Sequence, residues 1–180
     1  MKWRARVLLI MVIALGCVSA PIFASTVAVR AEEGDQDDID PRVLDNVSQN
    51  CSSIKQALRD LQRADSRTRA YLGSAYETVS RDFITPLNLR LVKNNRVATK
   101  LFEIQGDFSS KQSDFRTEYT AYMRELESLI AANCQEHPRD FYRQLQKTRE
   151  HRAKLHNLSE DLNKLVSEQY QGVKTLREEI

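Results

Sequence analysis

An apolar heptad pattern limits this chain to a long packed helix more strongly than any other feature. It begins after Asp40-Pro41, a helix-capping residue followed by a proline suited to the first helical position. Its positions, at alternating spacings of three and four, are Leu44, Val47, Cys51, Ile54, Leu58, Leu61, Asp65, Thr68, Leu72, Ala75 and Val79. A pattern that persists over about five heptads is typical of helices packed lengthwise.

Three signals mark the ends of the predicted helices. Pro86 should end or kink the first helix, the segment Lys93-Asn94-Asn95-Arg96 is the strongest turn signal, and His137-Pro138 marks the next break. The predicted helices span about 41–86, 97–133 and 138–178. Because short connections make neighbours antiparallel, residues 41–180 are predicted to be all-α, an elongated antiparallel three-helix bundle or coiled coil. The apolar pattern is weak between Phe108 and Phe115, and Gly106, Ser109 and Ser110 have low helix propensity, so a soft or kinked region is predicted in the second helix.

Residues 1–31 have the pattern of a signal peptide or membrane anchor. Basic residues precede the uncharged apolar stretch 7–23. Cleavage after Ala24 or after Ala31 would release the protein, whereas an uncleaved stretch would anchor it in the membrane. A third alternative is lipidation at Cys17, where Ala14-Leu15-Gly16-Cys17 resembles a bacterial lipobox with its leucine one place late.

Each alternative places the bulk of the protein outside the cytoplasm, because basic residues hold the opposite end inside. The expected location is therefore extracellular, or in the cell envelope on the outer side of the cytoplasmic membrane. Residues 32–40 carry six acidic groups and are predicted to form a disordered linker.

The charge of the remaining chain argues against nucleic-acid binding. Four of the 27 Lys and Arg residues and none of the 25 Asp and Glu residues lie in residues 1–31, so the rest has a net charge of −2. Charges of both signs are interspersed along it, as on solvated helix faces.

Two cysteines follow the export segment. The midpoint of Cys51 and Cys134 falls at residues 92–93, close to the turn signal at 93–96, so the two should face each other across an antiparallel helix pair. An oxidising compartment allows a disulfide there. Closing such a loop would contribute about 4 kcal/mol in the chain-entropy model. The alternative is two separate buried thiols.

The same register predicts a polar layer. Asp65 lies in the heptad pattern of the first helix and faces about residue 120 of the second, which in turn faces Arg152 of the third. Asp65, Arg152 and the nearby Tyr119 are therefore candidates for one polar layer that sets helix register. The alternative is that each side chain turns to solvent.

Two segments are candidates for a partner-binding patch. Tyrosine and arginine are common in binding hot spots, and an exposed apolar tip would mark a contact site. The candidate residues are Arg67, Arg69, Tyr71, Tyr76, Phe83, Ile84, Leu89 and Leu91. The alternative for the first segment is packing, with Gly73 easing the approach of the second helix and the tyrosine rings covering the core edge.

Sequence motifs of catalysis are lacking. His151 and His156 are five residues apart, which does not match the i, i+4 spacing of helical zinc sites. There is no GxSxG motif and no glycine-rich phosphate loop. We expect no enzyme activity, no cofactor, no metal and no small-molecule substrate.

The run Leu58–Glu77 (LRDLQRADSRTRAYLGSAYE), with Pro86–Asn95 (PLNLRLVKNN), resembles a group of exported helical proteins in bacteria with reduced genomes. The resemblance covers most of the chain after the export segment, and it implies no activity and no functional residue. The expected function is binding or spacing in the envelope or outside the cell, with an unknown protein partner and a membrane contact through residues 7–23 if these are uncleaved. The alternative is a regulatory coiled-coil partner of an envelope machine, such as a cell-wall hydrolase or transporter.

Overall fold

A computed structural model describes residues 39–178, and this part of the chain is all-α, without β-strands. Its elements are α1 (Pro41–Gln49), α2 (Cys51–Thr78), a π-helical segment (Val79–Ile84), α3 (Thr85–Lys93), α4 (Thr99–Ala131) and α5 (Pro138–Glu178). The predicted export segment with Cys17, and residues 32–38 of the predicted linker, lie outside the described residues.

The first helix begins at the predicted position, but it is interrupted at Asn50. Asp40 caps α1 by accepting a hydrogen bond from the Arg42 backbone N–H at 2.8 Å, and Pro41 occupies the first helical position. Asn50 then separates α1 from α2, and its side-chain amide donates to the Asn46 carbonyl at 3.0 Å. The Asn50 N–H still donates to the Asn46 carbonyl and the Ile54 N–H to the Asn50 carbonyl, so the interruption is confined to the backbone angles of Asn50, with φ of −103° and ψ of 17°.

Pro86 does not end the helical run, because a π-helical segment precedes it. The Thr85 N–H bonds to the Ser80 carbonyl, five residues earlier, and Pro86 lies in the first turn of α3, where a missing N–H costs little. The extra residue shifts the apolar pattern by one position. Ile84 and Leu91 are therefore buried, while Phe83 is half exposed.

The turn after α3 is a Schellman motif. Asn95 adopts a left-handed conformation with φ of 51°, the Arg96 N–H donates to the Leu91 carbonyl at 2.9 Å, and the Asn95 N–H donates to the Val92 carbonyl at 3.0 Å. Asn95 and Arg96 lie inside the predicted turn segment 93–96, whereas α4 begins at Thr99 instead of residue 97.

The predicted soft region of the second helix is absent: α4 is continuous from Thr99 to Ala131. Packing compensates for the weak spacing. The ring of Tyr76 on α2 contacts Phe108 and Phe115 edge-on, with centroids 6.2 and 6.0 Å apart, and so spans the gap between the two buried phenylalanines. No side chain lies within 4 Å of a Cβ placed on Gly106, so the glycine marks open surface and not a kink.

The disulfide sets how α2 and α4 run. Cys51 begins α2, Cys134 follows α4, and their Sγ atoms are bonded with Cα atoms 5.5 Å apart. Tyr76, near the end of α2, contacts the first half of α4, so the two helices are antiparallel. Helix α5 packs along α4 with a surface ion pair between Lys111 and Asp161 at 2.7 Å. One core cluster runs through these helices, and a second, smaller one joins Leu91, Leu101 and Ile104 near the α3–α4 turn.

The left-handed conformation of Asn95 yields a prediction. Asn95→Gly should leave the free energy of unfolding unchanged or raise it slightly, because glycine adopts this conformation without strain. Asn95→Val should lower it by about 1–2 kcal/mol, because a β-branched residue is strained there. Urea unfolding followed by circular dichroism measures both. Equal stability of the two variants would show that the turn does not hold this geometry.

Candidate functional site

A polar layer joins three helices in the middle of the described unit. The Tyr122 hydroxyl on α4 donates to Asp65 Oδ2 on α2 at 2.6 Å. Arg152 on α5 donates to the same carboxylate twice, from Nε to Oδ2 at 2.9 Å and from an Nη to Oδ1 at 3.3 Å. The structure thus brings Asp65 and Arg152 together, at the level that the register predicted.

The layer runs from the core to the surface. Tyr122 is fully buried, the Asp65 side chain is 18% exposed, and the Arg152 side chain is 55% exposed. Burial, and then the hydrogen bond to Asp65, raise the pKa of the Tyr122 phenol well above its usual range. The hydrogen bond to Asp65 also raises the pKa of the Arg152 guanidinium. The tyrosine therefore stays neutral and the arginine charged at ordinary pH.

Tyr119, predicted as the third member of the layer, does not reach Asp65. Its hydroxyl contacts Ser66 Oγ at 3.4 Å, and the Arg69 guanidinium lies 5.1 Å from its ring centre. Side chains on a helix point back toward its N-terminus, so a long tyrosine reaches about one turn before its own position. Tyr122 therefore occupies the place assigned to Tyr119.

Two further side-chain contacts with a glutamate join α4 and α5 near this layer. His151 Nδ1 is 2.5 Å from Glu118, and Lys147 Nζ is 2.8 Å from Glu125. A pair with an exposed member, such as Lys147 with Glu125, contributes little free energy, but the spacing of the two contacts agrees with a single register of the two helices.

A second polar group lies beside the π-helical segment. Asn88 is buried, and its amide donates to the Leu101 carbonyl at 3.1 Å and to Gln105 Oε1 at 2.6 Å. Its Oδ1 atom, and both amide atoms of the buried Gln169, make no hydrogen bond within the described residues. Each buried polar atom without a hydrogen bond lowers the stability of the fold. Hydrogen bonding is therefore less complete at this end of the core than in the central polar layer.

The predicted partner patch is only partly exposed. Tyr76, Ile84 and Leu91 are 3%, 1% and 8% exposed, so they belong to the core and not to a surface. For Tyr76 the alternative of core packing describes its position. For Ile84 and Leu91 the reason is the π-helical segment, which turns them inward. The exposed members of the predicted set are Arg67, Arg69, Tyr71, Phe83 and Leu89.

Gly73 does not bring the second helix close. No atom lies within 4 Å of a Cβ placed on it, and it lines an open groove of about 500 Å³ between α2 and α4. Arg69 and Arg116 also line this groove. A second, mainly apolar groove of about 750 Å³ lies between α1, α2 and α5, with Arg42 and Arg149 among its lining residues.

Residues 39–178 contain no group of three His, Cys, Asp or Glu side chains placed to hold a metal ion. His151 is paired with Glu118, and His156 lies 3.3 Å from Glu160. Over the same range, none of the helices combines the length and the apolar character needed to cross a membrane.

The hydrogen bond of Tyr122 to Asp65 was not predicted from the sequence, and neither were the buried polar positions of Asn88 and Gln169. Apolar spacing does place Tyr122 in the core, because it lies seven residues after Phe115 and four before Leu126, but spacing does not indicate which group its hydroxyl contacts. Asn88 becomes a core position only through the one-residue shift of the π-helical segment, which has no strong signal in sequence. Gln169 follows the seven-residue spacing from Leu155 and Leu162, where an amide replaces an apolar side chain.

These features define an all-α protein with a disulfide and a polar layer that connect its helices. No protein-family model matches this chain, and neither the curated proteins nor the solved structures contain a significant match.

The Tyr122 hydrogen bond yields a prediction. Tyr122→Phe should lower the free energy of unfolding by about 1–2 kcal/mol at pH 7, because Asp65 loses a buried donor. Because the folded-state pKa of Tyr122 is raised above the ordinary 10.0, its contribution is complete below pH 10 and is lost as the pH rises through the folded-state value. Unfolding in urea between pH 7 and 11 should show a steeper alkaline loss for the wild type than for the variant.

Tyr71→Phe is the matched control, because Tyr71 is 66% exposed on α2. Its stability should stay within about 0.5 kcal/mol of the wild type. Equal alkaline profiles for the wild type and Tyr122→Phe would contradict the hydrogen bond to Asp65.

Proposed function

We propose that this protein is exported and acts in the cell envelope or outside the cell by binding or spacing, without catalysis. In this proposal residues 1–31 are a signal peptide or membrane anchor, and residues 32–40 are a linker. Residues 41–178 then form an elongated antiparallel three-helix bundle with coiled-coil packing. The resemblance of Leu58–Glu77 to exported helical proteins agrees with this assignment.

The Cys51–Cys134 disulfide is the observation that carries the proposal. Disulfides persist in oxidising compartments and are rare in the cytosol. This one is fully buried at Cys134, and it joins segments 83 residues apart in sequence. Both features are typical of a structural crosslink rather than a catalytic one.

The arrangement of polar groups supports a mechanical role. In the central layer Asp65 of α2 pairs with Arg152 of α5 and accepts a hydrogen bond from the neutral Tyr122 of α4, so these contacts hold the three helices in register. A helix of 33 residues such as α4 extends about 50 Å at 1.5 Å per residue. Long paired helices are suited to holding two structures apart.

The second candidate is a regulatory partner of an envelope machine, such as a cell-wall hydrolase or transporter. It is favoured by Arg67, Arg69 and Tyr71, which remain exposed on α2, and by the groove of about 500 Å³ that Arg69 lines. Tyrosine and arginine at the edge of a groove are common in protein interfaces. This candidate differs from a spacer in requiring stable co-purification with a membrane complex.

Export can be tested with alkaline phosphatase, which is active only where its own disulfides form. Fused after Ile180 of the full chain, it should be active in intact bacterial cells, and deletion of residues 7–23 should abolish that activity. A green fluorescent protein fusion at the same position measures expression of both chains. Equal phosphatase activity with and without residues 7–23, or none in either, would contradict export.

A further inference from the structure

The turn between α3 and α4 exposes apolar side chains at one end of the described unit. Leu89, Val92 and Val97 are 64%, 61% and 87% exposed. They lie within nine residues of one another, so they form a group and not a scatter of isolated surface residues.

The same turn is strongly basic. Arg90, Lys93, Arg96 and Lys100 are all exposed, and no acidic residue occurs between Asp82 and Glu103. Elsewhere along the described helices, charges of both signs alternate. We call the three apolar and four basic side chains the basic-apolar tip.

The tip has an ordered scaffold. The Schellman motif fixes the backbone through the bond from the Arg96 N–H to the Leu91 carbonyl, and Leu91 itself packs against Leu101 and Ile104. The exposed side chains are therefore presented by a backbone that needs no further ordering when it binds. Such preorganisation lowers the cost of association.

We propose that the basic-apolar tip docks on the surface of an anionic phospholipid bilayer. Every apolar residue of the tip has a cation one residue before or after it in sequence, with Arg90 next to Leu89, Lys93 next to Val92 and Arg96 next to Val97. Cations that attract acidic headgroups, beside apolar side chains that enter the interface, are the pattern of peripheral membrane binding.

A lipid surface fits the tip better than a protein groove does. A protein hot spot usually buries its apolar anchors in a core from which charge is depleted, whereas here each exposed apolar residue is next to a cation in sequence. Long basic side chains can keep their charges at the headgroups while their stems lie along apolar surface. The inference goes beyond export and spacing, since it names a lipid partner for one end of the protein.

The test uses the full chain with its one tryptophan moved to the tip. In a Trp3→Phe background, Val97→Trp places a fluorophore at the most exposed apolar position of the tip. Vesicles of phosphatidylglycerol that contain brominated acyl chains should quench its fluorescence, while phosphatidylcholine vesicles with the same brominated chains should not. The matched control is Ala153→Trp in the same background, at an exposed position on α5 that should not be quenched.

A second variant separates charge from apolar contact. Changing Arg90, Lys93, Arg96 and Lys100 to glutamine should lower the partitioning that the fluorophore at position 97 reports, by about fivefold for each cation near the surface. Raising the salt concentration should also lower this partitioning, because salt screens the attraction between the cations and the anionic lipid. Residues 7–23 are present in every chain, so they cannot account for differences among the variants.

Absence of quenching at position 97 in anionic vesicles would overturn the proposal. So would equal quenching at positions 97 and 153, or quenching unaffected by removal of the four cations. In those cases the exposed apolar residues would be left to a protein partner. Circular dichroism of each variant confirms that the helices are retained.

Discussion

The disulfide between Cys51 and Cys134 is the constraint on which the arrangement of the other helices depends. It joins the start of α2 to the chain just after α4, so the two helices must run antiparallel from a fixed point. In the chain-entropy model, closing a loop of this length contributes about 4 kcal/mol. Once that point is fixed, the level at which each residue of α2 meets α4 is also fixed.

The polar layer depends on the register that the disulfide fixes, although it lies well away from the disulfide. Asp65 lies fourteen residues after Cys51, and there it meets Tyr122 of α4 and Arg152 of α5. A carboxylate this well enclosed needs its partners, because an unpaired buried charge costs several kcal/mol. A slip of either helix would remove the partners, so the layer disfavours other registers even where it adds little net stability.

Much of this arrangement follows from the sequence, because it depends on regular spacing. Spacing was enough to predict helical segments and to place Cys51 opposite Cys134 and Asp65 level with Arg152. Spacing alone wrongly assigned Tyr119 to the polar layer, because the reach of a side chain along the helix decides which tyrosine bonds to Asp65. Spacing also did not indicate that Ile84 turns inward. The π-helical segment adds one residue to the apolar pattern, whereas the prediction assumed an uninterrupted pattern.

The central claim is that a disulfide in an oxidising compartment fixes the pairing of α2 with α4. Peptide mapping by mass spectrometry tests it most directly, on protein taken from its native compartment with free thiols blocked at lysis. We expect a crosslinked peptide pair containing Cys51 and Cys134, which separates on reduction. Recovery of both cysteines as blocked free thiols would contradict the claim.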